Sequence, residues 1–114
     1  MITILHNPRC STSRTVLAMI RDSGTEPTIV DYQKSPLDRR ALVSLLIALE
    51  LSPRDIIRTK EPLYKELGLA DETLTDQQLL DALLDHPILI ERPIVLSPKG
   101  ARLCRPKERV LEIL

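Results

Sequence analysis

The period of the hydrophobic positions changes several times along the chain, and each change marks a predicted element. Residues 2–6 form a short apolar run with β-branched members that a proline soon interrupts, which is typical of a buried strand. From Ser11 the apolar residues recur at helical spacing up to Gly24, which predicts a helix with a glycine just past its end. A second strand is predicted at residues 28–32.

The central part of the chain is predicted to be helical. A long helix rich in Leu, Ile and Val is expected at residues 38–50, with Ser35 as its N-cap and Pro36 at the first helical position. Three shorter helices are predicted at residues 53–58, 62–67 and 75–86. The last of them begins with a capping box, in which Thr75 is followed three residues later by a glutamine.

The pattern ends with two strand candidates around a turn and an amphipathic helix, at residues 94–96, 101–104 and 108–114. The whole order is β-α-β followed by β-β-α, with helices inserted between the two halves. A mixed sheet with helices packed on it buries the apolar faces of such elements, so the fold class is α/β. We expect one domain over residues 1–114, with a helical insert at about residues 36–86.

Composition narrows the classes of partner. Leu, Ile and Val supply 37 of the 114 residues, which is enough to form a hydrophobic core. Lys plus Arg and Asp plus Glu both number 16, and the only aromatic residues are two tyrosines, so a nucleic-acid partner is not expected. No apolar run approaches the roughly 20 residues of a membrane helix, and no signal peptide is recognisable. We therefore expect a cytoplasmic monomer with no membrane partner.

The two cysteines have different surroundings. Cys10 lies between the first strand and the first helix, at the sheet edge where α/β proteins collect ligands. The helix N-terminus favours a thiolate and also a bound anion, Arg14 adds a positive charge, and His6 adds another when protonated. Cys10 is therefore a candidate nucleophile. Cys104 lies in a strand candidate and is predicted to be a small buried residue.

Several alternative kinds of site can be excluded by their spacing. A phosphatase loop needs an arginine six residues after the cysteine, where this chain has Val16, and a dithiol pair needs a second cysteine where it has Ser13. The histidines and cysteines are too scattered for a zinc site, so no metal is expected. No glycine-rich phosphate loop is present. A single reactive thiol remains.

The segment HNPRCSTSR at residues 6–14 resembles the active-site segment of the glutaredoxin-coupled arsenate reductases of the bacterial plasmid type. The resemblance continues in the segments SGTEPTI at 23–29, ELGL at 66–69, HPILI at 86–90, RPIV at 92–95 and RLCRP at 102–106. It covers essentially the whole chain and extends to a shorter arsenate-reductase-like branch of the family. It implies a thioredoxin-like fold with a helical insert, in agreement with the predicted order of elements.

The resemblance also implies roles for individual residues. Cys10 matches the nucleophile that attacks arsenate and forms a thiol–arsenic adduct. The residues that match the three arginines around the oxyanion are Arg58, Arg92 and Arg105. The residues that match groups supporting the thiolate are His6, Ser13 and Arg14. Pro93 matches the proline that thioredoxin-like proteins hold in the cis form beside the cysteine.

The same resemblance implies glutathione as a co-substrate, glutaredoxin as the electron donor and no bound cofactor. Electrostatics agrees with this chemistry, because a thiolate approaching arsenate meets a like charge that guanidinium groups can offset. Two alternatives stay open. One is a glutathione-dependent thiol/disulfide oxidoreductase, of the dehydroascorbate type, that is not specific for arsenate. The other is a non-catalytic regulator that binds RNA polymerase, although that related branch carries a dithiol pair where this chain has Ser13.

Overall fold

A four-stranded mixed sheet forms the frame of the structure, a computed structural model that describes all 114 residues. Its strands are β1 (Thr3–His6), β2 (Thr28–Asp31), β3 (Ile94–Ser97) and β4 (Gly100–Leu103), in the spatial order β2-β1-β3-β4. β1 is parallel to β2, whereas β3 is antiparallel to both β1 and β4. The predicted α/β class with a mixed sheet is confirmed.

One face of this sheet is covered by an α-helix and a 3₁₀ helix. Helix α1 (Ser11–Asp22) connects β1 to β2, and a 3₁₀ helix (Lys107–Glu112) follows β4. The buried cluster that joins them to the sheet consists of Ile2, Ile4, Val16, Leu17, Ile20, Val95, Cys104, Val110 and Ile113. Because α1 buries its apolar face here, its first turn is held at the end of β1, where Cys10 lies.

The chain divides into two compact units. Met1–Ser35 and Arg92–Leu114 form the first, which contains the sheet and which we call the sheet unit. Pro36–Glu91 form the second, the helical unit, in which the elements are α2 (Arg39–Leu49), a 3₁₀ helix (Pro53–Ile56), α3 (Pro62–Glu66), α4 (Asp76–Asp85) and a 3₁₀ helix (Pro87–Leu89). The helical insert expected at about residues 36–86 lies within the helical unit. That residues 1–114 form a single domain stays a prediction.

The start of α2 differs from the prediction. The N-cap is Asp38, whose side chain accepts a hydrogen bond from the backbone N–H of Ala41 at 2.8 Å. Ser35 instead donates its backbone N–H to the carbonyl oxygen of Asp31 at 2.8 Å and so belongs to the turn that ends β2. A carboxylate caps as well as a hydroxyl, and the prediction at Ser35 was wrong because Asp38, three residues later, competes for the same role.

The terminal helix is also of a different type from the one predicted. Val110 and Ile113 are buried, whereas Leu111 between them is 60% exposed. A spacing of three residues matches the 3₁₀ helix, in which residues i and i+3 lie one above the other. The helix predicted at residues 53–58 is likewise a short 3₁₀ helix. No helix of the structure is both long enough and apolar enough to cross a membrane.

We predict that replacing Ile4 by alanine lowers the free energy of unfolding by about 2–5 kcal/mol, because Ile4 is fully buried and its loss leaves a cavity. Ile29 pairs with Ile4 across the sheet but is 41% exposed, so Ile29→Ala is the matched control and should cost less than about 1 kcal/mol. Urea unfolding measures both values. Equal losses for the two variants would contradict the assignment of the core.

Candidate functional site

A tight turn between β1 and α1 carries Cys10. The backbone N–H of Cys10 donates to the carbonyl oxygen of Asn7 at 3.0 Å, and the Asn7 side-chain oxygen accepts the N–H of Arg9 at 3.0 Å. Cys10 then occupies the N-cap position of α1 and is partly exposed. The sulfur therefore lies at the positive end of the helix, where it is accessible from solvent.

The surroundings of Cys10 favour its ionised form. Burial by itself raises the pKa of this thiol, but it is outweighed by the backbone N–H of Ser13, the charge of Arg105, the backbone N–H of Thr12 and the charge of Arg92. Together these groups hold the pKa of Cys10 below its ordinary value. A lowered pKa increases the thiolate fraction near neutral pH, and the thiolate is the nucleophilic form.

Two arginines from the other end of the chain flank this sulfur. The Nη2 of Arg105 lies 3.5 Å from the Sγ of Cys10, and its Nε donates to the carbonyl oxygen of Arg92 at 2.8 Å. Arg92 itself is only 7% exposed. The peptide bonds to the following prolines, Pro93 and Pro106, are both cis. The structure thus brings Cys10 together with two of the three arginines proposed to bind an oxyanion.

Ser13 connects the cysteine turn to His6. Its hydroxyl oxygen lies 2.6 Å from the Nδ1 of His6 and accepts the backbone N–H of Asn7 at 3.1 Å. Burial lowers the pKa of His6, and the charges of two nearby arginines lower it further, against an opposing effect of Asp31. Near neutral pH the imidazole is therefore uncharged. His6 supports the turn through Ser13 rather than by adding a positive charge.

Arg14 also supports the turn through the backbone. Its Nη1 donates to the carbonyl oxygen of Pro8 at 2.8 Å, on the exposed side of α1. The positive charge of Arg14 is among those that lower the pKa of His6. The charges that lower the pKa of Cys10 are those of Arg105 and Arg92 instead.

Arg58 belongs to the helical unit, where it is held by residues of that unit. Its Nη1 donates to the Oε1 of Glu91 at 3.0 Å, and its backbone N–H donates to the carbonyl oxygen of Leu89 at 2.7 Å. Both side chains of the ion pair are less than a quarter exposed. The role of Arg58 toward an oxyanion stays a prediction.

Tyr32 was not predicted from the sequence to belong to the site. It follows β2, is 1% exposed, and lies beside Asn7 because β1 and β2 are parallel and end together. Burial raises the pKa of Tyr32, although the charge of Arg92 and hydrogen bonds from the side chains of Gln33 and Asn7 oppose it. A tyrosine as the last residue of the predicted strand 28–32, which runs beside the strand that leads to the cysteine, is the signal that could have identified it.

Cys104 is fully buried, as predicted, and burial raises its pKa to about 12. Its thiol is therefore un-ionised and inaccessible near neutral pH. No cluster of three or more His, Cys, Asp or Glu side chains is arranged to hold a metal ion. The chemistry that the site offers is nucleophilic attack by one thiolate, flanked by guanidinium groups, on a small anionic electrophile.

Comparison with known proteins agrees with this geometry. The model of the ArsC family matches residues 5–113. Arsenate reductase of Escherichia coli K12 is 56% identical over 113 residues, which are 99% of this chain and 80% of that protein. The corresponding protein of Rhizobium meliloti is 54% identical, covering 99% of this chain and 81% of the other, and arsenate reductase ArsI2 of Synechocystis is 48% identical, covering 100% and 81%.

A solved structure gives the same result for the fold. Arsenate reductase from Vibrio cholerae superimposes with a TM-score of 0.94 at 45% identity, covering 99% of this chain and 97% of the other. The thioredoxin-like fold implied by the motifs is thereby confirmed, and so is the resemblance on which it was based. The chain belongs to the ArsC family.

Proposed function

We propose that this protein reduces arsenate to arsenite through a covalent adduct on Cys10, with glutathione and glutaredoxin as the source of electrons. The observation that carries the proposal is the 3.5 Å approach of the Arg105 guanidinium to the Cys10 sulfur. The names of the relatives, which are arsenate reductases, support the same substrate. The reaction needs a reduced thiol pool, which is the condition of the cytoplasm.

Arg92 and Arg105 reduce the electrostatic repulsion between the Cys10 thiolate and arsenate in the first step of the reaction. Arsenate carries one to two negative charges near neutral pH, so an approaching thiolate is repelled by it. Arg105 and Arg92 place positive charge next to the sulfur, and their N–H groups can donate charge-assisted hydrogen bonds to arsenate oxygens. The same groups stabilise the additional negative charge that accumulates on those oxygens during attack.

The electrons are balanced by two external thiols. The Cys10 thiolate forms a sulfur–arsenic bond and one arsenate oxygen leaves as water; the glutathione thiol then displaces a second oxygen, also as water. A glutaredoxin thiolate attacks the glutathione sulfur, forms a mixed disulfide and leaves the electron pair of the glutathione–arsenic bond on arsenic, which is reduced from As(V) to As(III). Water then replaces the Cys10 sulfur on arsenic, so that arsenite and the free thiol are released.

Arg58 enters this scheme only through the resemblance. We assign it to the oxyanion as a third guanidinium, and its ion pair with Glu91 is the contact that holds its side chain in the helical unit. The carboxylate of Glu91 offsets part of the Arg58 charge.

We predict that Cys10→Ser abolishes arsenate reduction in the presence of glutathione and glutaredoxin, because a serine hydroxyl is not ionised at neutral pH and cannot form the adduct. Cys104→Ser is the matched control and should retain most of the rate, since Cys104 is buried in the core. Arsenite release is the measurement. If Cys10→Ser turns over at the wild-type rate, the central assignment is wrong.

The same assay separates the alternative functions. A wild-type protein that reduces a glutathionylated peptide but not arsenate is a general thiol/disulfide oxidoreductase. A protein that turns over neither substrate but retains RNA polymerase in a pull-down is a regulator. Either result would replace the function proposed above.

We predict that the rate of Cys10 alkylation by iodoacetamide rises with pH with a midpoint below that of an ordinary thiol, because the pKa of Cys10 is lowered. The thiolate fraction at neutral pH is then larger than that of an ordinary thiol, and it disappears as the pH falls through the lowered pKa. Arg105→Gln should move the midpoint upward by removing a neighbouring positive charge, whereas Cys104→Ser should leave it unchanged. A midpoint that does not respond to Arg105→Gln would contradict the electrostatic role of this arginine.

We predict that Arg92→Lys raises the KM for arsenate by about tenfold, since an ammonium cannot offer the planar pair of donors that a guanidinium presents to an oxyanion. Arg109→Lys is the control, because Arg109 lies in the same unit with an exposed side chain. The KM is measured at saturating glutathione and glutaredoxin. A similar KM in both variants would show that geometry at residue 92 is unimportant.

A further inference from the structure

We propose that a pocket beside the cysteine turn is the binding site for glutathione, an inference that rests on the function proposed above. The pocket has a volume of about 340 Å³, at the lower end of the range for small-molecule sites. It lies wholly within the sheet unit. The residues that line it are Asn7, Pro8, Arg9, Asp31, Gln33 and Lys34.

Position is the first argument for this assignment. One wall of the pocket, residues 7–9, directly precedes Cys10, and the other wall is the end of β2 and the turn that follows it. The two walls adjoin because β1 and β2 are parallel and paired up to their ends. A ligand in this pocket therefore lies against the same turn that carries the nucleophile, as a thiol that must join the arsenic on Cys10 requires.

The two positively charged residues of the pocket, Arg9 and Lys34, have hydrogen-bonded backbones and solvent-exposed side chains. The N–H of Arg9 is held by the side chain of Asn7 at 3.0 Å, and the N–H of Lys34 by the carbonyl oxygen of Asp31 at 3.1 Å. Both side chains are exposed, and no carboxylate of the chain pairs with either charge. The side chains of Arg9 and Lys34 are therefore two positive charges that no carboxylate of this chain neutralises.

Asp31 adds one negative charge between these walls. Its Oδ1 accepts the backbone N–H groups of Gln33 at 3.2 Å and Lys34 at 3.3 Å, which fixes the carboxylate and leaves Oδ2 available. Glutathione carries two carboxylates and one ammonium group, and two cations with one anion complement that pattern. A second arsenate would instead be repelled by Asp31, so the mixed charge favours the zwitterionic peptide.

The distribution of charge over the chain also favours an anionic ligand here. The sheet unit has 10 Lys and Arg against 5 Asp and Glu, whereas the helical unit has 6 against 11. A neutral chain thus contains a strongly positive unit, and its field attracts a ligand such as glutathione, whose net charge is negative.

The kinetic test uses Arg9→Ala, Lys34→Ala and the double variant. We expect each single change to raise the KM for glutathione about threefold, the size of a lost exposed ion pair, and the double change about tenfold. The KM for arsenate and the pKa of Cys10 should stay at the wild-type values. The control is the double variant Arg40→Ala/Lys65→Ala, which removes the same charge from exposed positions of the helical unit. An unchanged KM for glutathione, or an equal rise in the control, would overturn the proposal.

A binding measurement keeps this site distinct from the function on which it rests. S-methylglutathione cannot react, so its binding can be followed by NMR whether or not arsenate is reduced. We expect backbone amide shifts at Asn7, Arg9, Cys10 and residues 31–34 in the wild type, and their loss in the Arg9→Ala/Lys34→Ala variant. Shifts confined to other residues would refute the pocket even if arsenate is turned over. Shifts at the pocket in a protein that does not reduce arsenate would support the site and refute the function.

Discussion

The site depends on two contacts of the Arg105 guanidinium. One of its N–H groups lies against the sulfur of Cys10, and another donates a hydrogen bond to the carbonyl oxygen of Arg92. The three residues come from separate segments, and the sheet is what brings them together. β1 leads into the cysteine turn, β3 begins just after Arg92, and β4 ends just before Arg105. Since β3 pairs with both β1 and β4, a change in either register would separate the sulfur from its cations.

Much of the fold follows from local patterns in the sequence. The period of the apolar residues locates all four strands and α1, and the capping box at Thr75 marks the start of α4 correctly. The predictions that were wrong concern the start of α2 and the type of the terminal helix, where the local sequence is compatible with two similar structures. Ser35 and Asp38 are both good N-caps, and only the turn after β2 decides between them. The type of the terminal helix depends on which of its residues the core buries.

The site was predictable to a smaller extent. Cys10 could be identified from its place between a strand and a helix, since that junction itself favours a thiolate. Arg92 and Arg105 could be identified only through the resemblance, because nothing local connects them with a cysteine more than 80 residues away. The uncharged state of His6 and the contact between Arg14 and Pro8 depend on burial and on the path of the turn, which no sequence pattern specifies.

The burial of Cys104 has a consequence for how the protein is restored after each cycle. A chain with a second accessible thiol can close an internal disulfide and hold an oxidised resting form until a reductant arrives. Here the second sulfur is sealed in the core in its protonated form, so Cys10 has no intramolecular partner. Under the proposed function, reduction of the Cys10 adduct is therefore a bimolecular event, and turnover follows the concentration of the pool of external thiols. When that pool is depleted, Cys10 is left open to irreversible oxidation, with no disulfide to protect it.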